Sequence, residues 1–225
     1  MRSASRVLVI ALWIALWIAL LFGSAGTVDW PRGWIFVALY SIAWVAMWFV
    51  LRRFNPGLIE ARTKLHLAET RAFDRVFMAL YTVLMLAQTA VAGLDAVRFR
   101  WTSMPFWCVY AGAALALLAF ALAAWTMALN PFAETTVRIQ SERGHTVIDF
   151  GPYRFVRHPM YVAIILMHVA APLVQGSVWA LVVAIPIAIV FVVRTAFEDR
   201  TLRLELAGYE AYTGRTRFRL VPGVW

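Results

Sequence analysis

Six apolar runs, at residues 7–22, 33–51, 76–94, 105–129, 160–175 and 178–193, dominate the chain. A hydrocarbon core of about 30 Å takes roughly 20 helical residues to cross, and each run reaches that length or does so with its flanks. None alternates apolar and polar residues as a barrel strand does, and in lipid only helices and closed barrels satisfy their own backbone. With 63% of 225 residues apolar, against about half in a soluble domain, the chain reads as an all-α integral membrane protein of about six transmembrane helices. Arg2 and Arg6 ahead of an apolar stretch that ends in "GSAG" also fit a cleaved signal peptide. Five spans remain if the first helix is cleaved or does not cross.

The net charge of +9 is of the kind that suits a nucleic-acid partner, but its distribution points to membrane topology. With the N-terminus inside, eighteen Lys and Arg fall on inside segments, and only Arg32, Arg98 and Arg100 fall outside. That bias is the positive-inside pattern; it predicts both termini in the cytoplasm of a multi-pass protein in an inner or plasma membrane, with no nucleic-acid role. The only cysteine, Cys108, lies within a predicted span, which excludes an intramolecular disulfide and a cysteine-based metal cluster. Nothing in the sequence sets an oligomeric state.

Outside loops are short, whereas the inside face has long segments at 52–75, 130–159 and 194–225. Chemistry is therefore expected on the inside. The loop "NPFAETTVRIQSERGHTVIDFGPYRFVRHP" has turn signals at Asn130-Pro131, Gly144 and Gly151-Pro152. Its "TTVRIQ" and "HTVID" segments flank "SERG" and predict a small β-hairpin. Pro159 suits the first turn of the fifth span, which puts Arg157 and His158 at a helix mouth where free N–H groups favour anions.

The last apolar pattern runs from Val178 to Ala207, with Pro186 inside it as an expected kink and Gly208 as its stop. Thirty residues at 1.5 Å each extend about 45 Å, so the end carrying Glu198 and Asp199 projects beyond the bilayer. Only a few residues around Gly176 join the last two spans, so they form an antiparallel hairpin. The "RHPMY" start is thereby returned beside "FEDRTL". Simpler readings stand for each residue: Arg154 and Arg157 as headgroup anchors, Tyr161 as interfacial aromatic, Glu198 and Asp199 as a solvated face of weak ion pairs.

"GPYRFVRHPMY", followed one hairpin later by "FEDRTLRLELAGYEAY" and "RFRLVPGVW", resembles the isoprenylcysteine carboxyl methyltransferase family, relatives of the membrane phospholipid methyltransferases. The likeness spans roughly 130–225. It departs at Ala163, where the family has glycine, and at Asp199, where it has glutamate. The resemblance implies a methyltransferase core over 130–225, with 1–129 as a substrate-side scaffold of four spans. It implies S-adenosyl-L-methionine as cofactor, held by the inside loop and tail through Tyr153, Arg154, His158, Pro159, Tyr161, Glu198 and Asp199. His158, Arg157 and Glu198 are the implied catalytic residues.

The chemistry is compatible. Carboxylates can accept from ribose hydroxyls or an ammonium, an arginine fork can hold a carboxylate, and tyrosine faces suit adenine or a sulfonium charge. Arg138, Gln140, His145 and His168 are weaker candidates. A water-soluble donor beside lipid predicts an amphipathic or lipid-like acceptor entering between helices, with carboxyl O-methylation preferred. A small thiol, an amine or a phospholipid is the alternative acceptor, and a non-catalytic assembly or carrier protein is the rival class.

Overall fold

The computed structural model describes residues 3–63 and 70–225, and for 3–10 and 63 the backbone alone. Arg2 and Lys64, counted above in the charge bias, lie outside the described residues. Eight helices follow in order among the described residues: α1 Ser3–Ala25, α2 Pro31–Phe54, α3 Pro56–Thr63, α4 Ala72–Gly93, α5 Trp107–Leu129, α6 Pro159–Gln175, α7 Val178–Glu205 and α8 Tyr209–Arg215. Helix α4 runs on through a π-turn at Leu94–Arg98. Helices α2, α4 with its π-turn, α5 and α7 are long and apolar enough to cross a membrane, while Ala11–Ala25 of α1 and Pro159–Gln175 are apolar but shorter. The chain is an all-α, multi-pass membrane protein.

Sequence punctuation explains the breaks. Pro31 opens α2 at its first turn, where its missing N–H is no loss, and Asn55-Pro56 separates α2 from α3. Helix α5 presents Gly112, Ala116, Ala119 and Ala123 as one buried face, and α6 answers with Ala163, Ala170 and Ala171. Small residues let helix backbones approach closely where lipid offers no hydrophobic drive. At Gly112 an added Cβ would lie 2.8 Å from Leu173 Cβ and 2.9 Å from the Ala170 carbonyl, so that crossing needs glycine.

The α6–α7 hairpin forms as expected. It turns on Gly176, whose φ of +84° is left-handed and whose missing Cβ leaves room for the Arg32 guanidinium. Buried Asp95 locks the same end, accepting from Ser177 Oγ at 2.6 Å, Thr102 N at 2.8 Å and Trp179 N at 3.1 Å.

Two expectations need correction. The segment 130–150 contains no β-hairpin: across the 3-10 turn at Ser141–Arg143 a single backbone bond runs from His145 N to the Gln140 carbonyl at 3.3 Å, and no strand ladder continues from it. Val137 N is drawn instead to Asp74 Oδ2 at 2.8 Å, so contacts to the helices replace cross-strand pairing. Helix α7 stops at Glu205, short of Ala207, and Gly208 (φ +82°) serves as the residue before α8. Pro186 lies inside this helix, which continues past it to Glu205.

Candidate active site

At the basic end of the bundle the C-terminal tail straps down the start of α6. Arg157 N and His158 N donate to the carbonyls of Phe218 and Arg219 at 2.9 and 3.0 Å. Arg157 Nη1 also reaches the carbonyls of Thr216 and Arg217 at 2.8 and 2.7 Å. Both residues are thereby fixed by backbone contacts before any ligand is considered.

The carboxylate of Asp199 lies beneath them. It accepts from Arg157 Nε at 2.7 Å and Nη2 at 3.2 Å, from Arg219 Nε at 3.0 Å and from Tyr209 Oη at 3.1 Å, and Arg203 Nε is 3.3 Å away. With its side chain 1% exposed, Asp199 is a buried anion that ties α7, α8, the tail and the α6 entry together.

Glu198, one residue earlier, faces elsewhere. It lines a cavity of about 110 Å³ and accepts a hydrogen bond from the Tyr161 hydroxyl. The His158 ring stacks on Tyr161, with centroids 5.6 Å apart and planes 7° from parallel. Its Nε2 is buried, 3.5 Å from Asp199 Oδ1, and makes no hydrogen bond. Tyr153, Tyr209 and Tyr212 complete the wall; burial pushes all three phenols well above their ordinary range, which keeps them neutral donors. The loop from Phe132 to Ile148 forms the roof, where Glu134 accepts from Arg138 Nε at 3.0 Å and Arg143 Nη1 at 3.1 Å.

A second cavity, of about 280 Å³, lies among α1, α2, α4, α5, α6 and α7. Six of the eight methionines line it, namely Met47, Met78, Met85, Met127, Met160 and Met167, and such flexible side chains accommodate varied apolar shapes. Arg62, Glu134, Met160, Tyr161 and Arg194 belong to the walls of both cavities. Arg194 lies across the Phe77 ring at 4.2 Å and the Tyr161 ring at 5.1 Å. Its Nε is 2.9 Å from Asp74 Oδ1, an ion pair without hydrogen-bond alignment.

Of the residues singled out in the sequence, Tyr153, Arg157, His158, Pro159, Tyr161 and Glu198 line the polar cavity, as do Arg138 and His145. Asp199 stands behind its wall, and Arg154 is exposed outside the lining. Gln140 is buried, with its side chain on the Phe132 carbonyl and Arg143. His168 belongs to the second cavity. Sequence reasoning gave no site role to Arg62, Asp74, Glu134 or Arg194, because the basic ones were absorbed into the topology count. Their signal was position: Asp74, Glu134 and Arg194 lie within a few residues of an end of an apolar run, and Arg62 lies on the short helix that follows one.

The helices and the paired cavities define a multi-pass membrane protein with a polar cavity and an apolar one that share wall residues. Residues 107–205 match the family model described as phospholipid methyltransferase, which takes in α5, the roof, α6 and α7 and is under half of the chain. No curated protein matches it. The membrane methyltransferase class fits both findings.

Proposed function

We propose that the protein is an S-adenosyl-L-methionine-dependent methyltransferase that acts on an amphipathic carboxylate at the inner face of the membrane, with both termini cytoplasmic. The observation that carries this reading is the shared wall of Arg62, Glu134, Met160, Tyr161 and Arg194 between a polar cavity and an apolar one. An acceptor with its tail in the methionine-lined cavity has its head at that wall, in reach of the polar side.

The polar cavity suits the donor by its chemistry. His158 Nε2 is buried with an unmet hydrogen-bonding capacity, Glu198 offers a carboxylate, and three neutral tyrosines surround them. The cofactor supplies an activated methyl on a sulfonium whose positive charge disappears on transfer. Glu198 and the tyrosine faces stabilise positive charge, while His158, stacked on Tyr161, is held by the tail. At 110 Å³ the cavity is smaller than the roughly 300 Å³ usual for small-molecule sites, so donor entry requires the 132–148 roof to lift.

A carboxylate is preferred as acceptor because two guanidinium groups, Arg62 and Arg194, stand at the shared wall. Already anionic at neutral pH, it needs no general base, and the chain's task is placement within about 3 Å of the methyl. Calorimetric titration of the purified protein with S-adenosylhomocysteine is the direct test. Saturable one-to-one binding, abolished in His158→Ala, supports the reading; absence of binding at millimolar ligand removes it. Reporter fusions at each terminus test the orientation, and opposite compartments would contradict it.

A further inference from the structure

The intramembrane cavity is not uniformly apolar, and around His168 the hydrogens of Gln88, Tyr81, Tyr40 and Thr89 are given to protein acceptors. Gln88 Nε2 donates to the carbonyls of His168 and Ala180 at 2.9 and 3.1 Å. With the amide so oriented, its Oε1 faces His168 Nδ1 at 2.7 Å. An amide oxygen only accepts, so Nδ1 carries the imidazole proton and Nε2 is bare. The Tyr81 hydroxyl, 2.9 Å from Nε2, must therefore donate to it. Tyr40 Oη gives its hydrogen to the Met167 carbonyl at 2.7 Å, and Thr89 Oγ1 gives its own to Met85 O at 3.0 Å.

At this level of the cavity each of these hydrogens is already committed to the protein. What Tyr81 and Tyr40 still offer is lone pairs. A plain hydrocarbon leaves them unmet, and a ketone or ester brings only more acceptors. A hydroxyl can give its hydrogen, and a satisfied polar contact in a dry site matters more than one in water.

The depth of this belt is set by α6. Tyr161 and His168 are seven residues apart, which is about 10 Å along the axis and within about 20° of the same face. Tyr161 is at the wall shared with the polar cavity and His168 is two turns deeper. We propose that the Tyr81–Tyr40 belt is a second recognition point that selects a donor-bearing tail, so that the preferred ligand is an amphipath with a hydroxyl about 10 Å from its polar head. This deepens, and rests on, the reading of the apolar cavity as the acceptor's tail site.

The test uses three tritiated probes of one chain length: a saturated fatty acid, the same acid with a mid-chain hydroxyl, and the same acid with a mid-chain ketone. Saturable binding to the full chain in nanodiscs is measured and corrected for partition into lipid. The hydroxy acid is expected to bind about tenfold more tightly than the keto acid, equivalent to 1.4 kcal/mol. Tyr81→Phe and Tyr40→Phe are each expected to shrink that ratio, and the second variant leaves His168 fully bonded should the first disturb the fold. Equal affinities, a preference for the ketone, or no saturable binding of any probe overturns the inference. The S-adenosylhomocysteine titration on the same samples reads the other cavity: binding there with no hydroxyl preference leaves the methyltransferase reading standing and sinks this one alone.

Discussion

Arg157 and Asp199, 42 positions apart in the chain, meet in a two-point ion pair of 2.7 and 3.2 Å with side chains only 3% and 1% exposed. The same carboxylate holds Arg219 and Tyr209, so the α6 entry, the end of α7, α8 and the tail share one buried anion. Adjacent acidic residues have thus been given separate work. Asp199 assembles the frame, and Glu198 faces the cavity.

Asp199→Asn should therefore cost stability before it costs chemistry. Removing one partner of a buried pair leaves the other charge uncompensated, typically a loss of about 3–5 kcal/mol. The unfolding temperature in detergent should fall and residues 216–225 should become protease-sensitive. A variant as stable as the parent, with its tail still protected, would show that Asp199 does not organise the frame.

Glu198→Gln and Tyr161→Phe should show the opposite pattern. Tyr161→Phe removes the donor of the hydrogen bond at the wall of the polar cavity, and Glu198→Gln keeps an acceptor there but removes its negative charge; neither empties a buried charge pair. Methyl transfer should drop at least tenfold, about 1.4 kcal/mol in barrier or more, at an unchanged unfolding temperature. Full activity in both variants would reduce this contact to a structural one.

Much of this was legible in the sequence because span length and loop length restrict the geometry. A linker of a few residues at Gly176 forces α6 and α7 antiparallel, and "RHPMY" then has to meet "FEDRTL". The division of labour between Glu198 and Asp199 was not legible, since consecutive helical residues point about 100° apart and only the packed tail decides which direction is interior. Arg62 and Arg194 were hidden for another reason: the charge asymmetry that orients spans is blind to whether an individual guanidinium faces lipid headgroups or a cavity. The hairpin expected around "SERG" failed because β-branched residues mark extended backbone, not its partner, and Asp74 supplied a competing acceptor for Val137.

The roof should loosen on acidification. Burial, helped by the neighbouring Arg143, pushes the His145 imidazole down to about 4 from an ordinary value near 6.5. The opened loop then binds the proton more readily than the closed one between those values. Its contribution to stability is complete above about pH 6.5 and is lost as pH falls toward 4. Unfolding temperature against pH should therefore decline more steeply in the parent than in His145→Gln over that window; parallel curves would mean that this imidazole does not govern the roof.

Tail length offers the sharpest check on lateral entry. If the acceptor's chain lies in the methionine-lined cavity, each buried methylene contributes about 0.8 kcal/mol. Shortening an acyl or prenyl tail by four carbons should then weaken apparent affinity by roughly two orders of magnitude, at 1.4 kcal/mol per factor of ten. Gains should stop once the roughly 280 Å³ space is filled, because further methylenes remain in lipid whether or not the head is bound. The experiment is methyl transfer from radiolabelled donor to a chain-length series in nanodiscs, corrected for partition into the bilayer. A rise that ends in a plateau locates the tail in the protein. Turnover independent of length, or equal turnover of a small water-soluble acceptor, would place the reacting head at the shared wall without any tail in the cavity, and would favour a small thiol or amine as the acceptor.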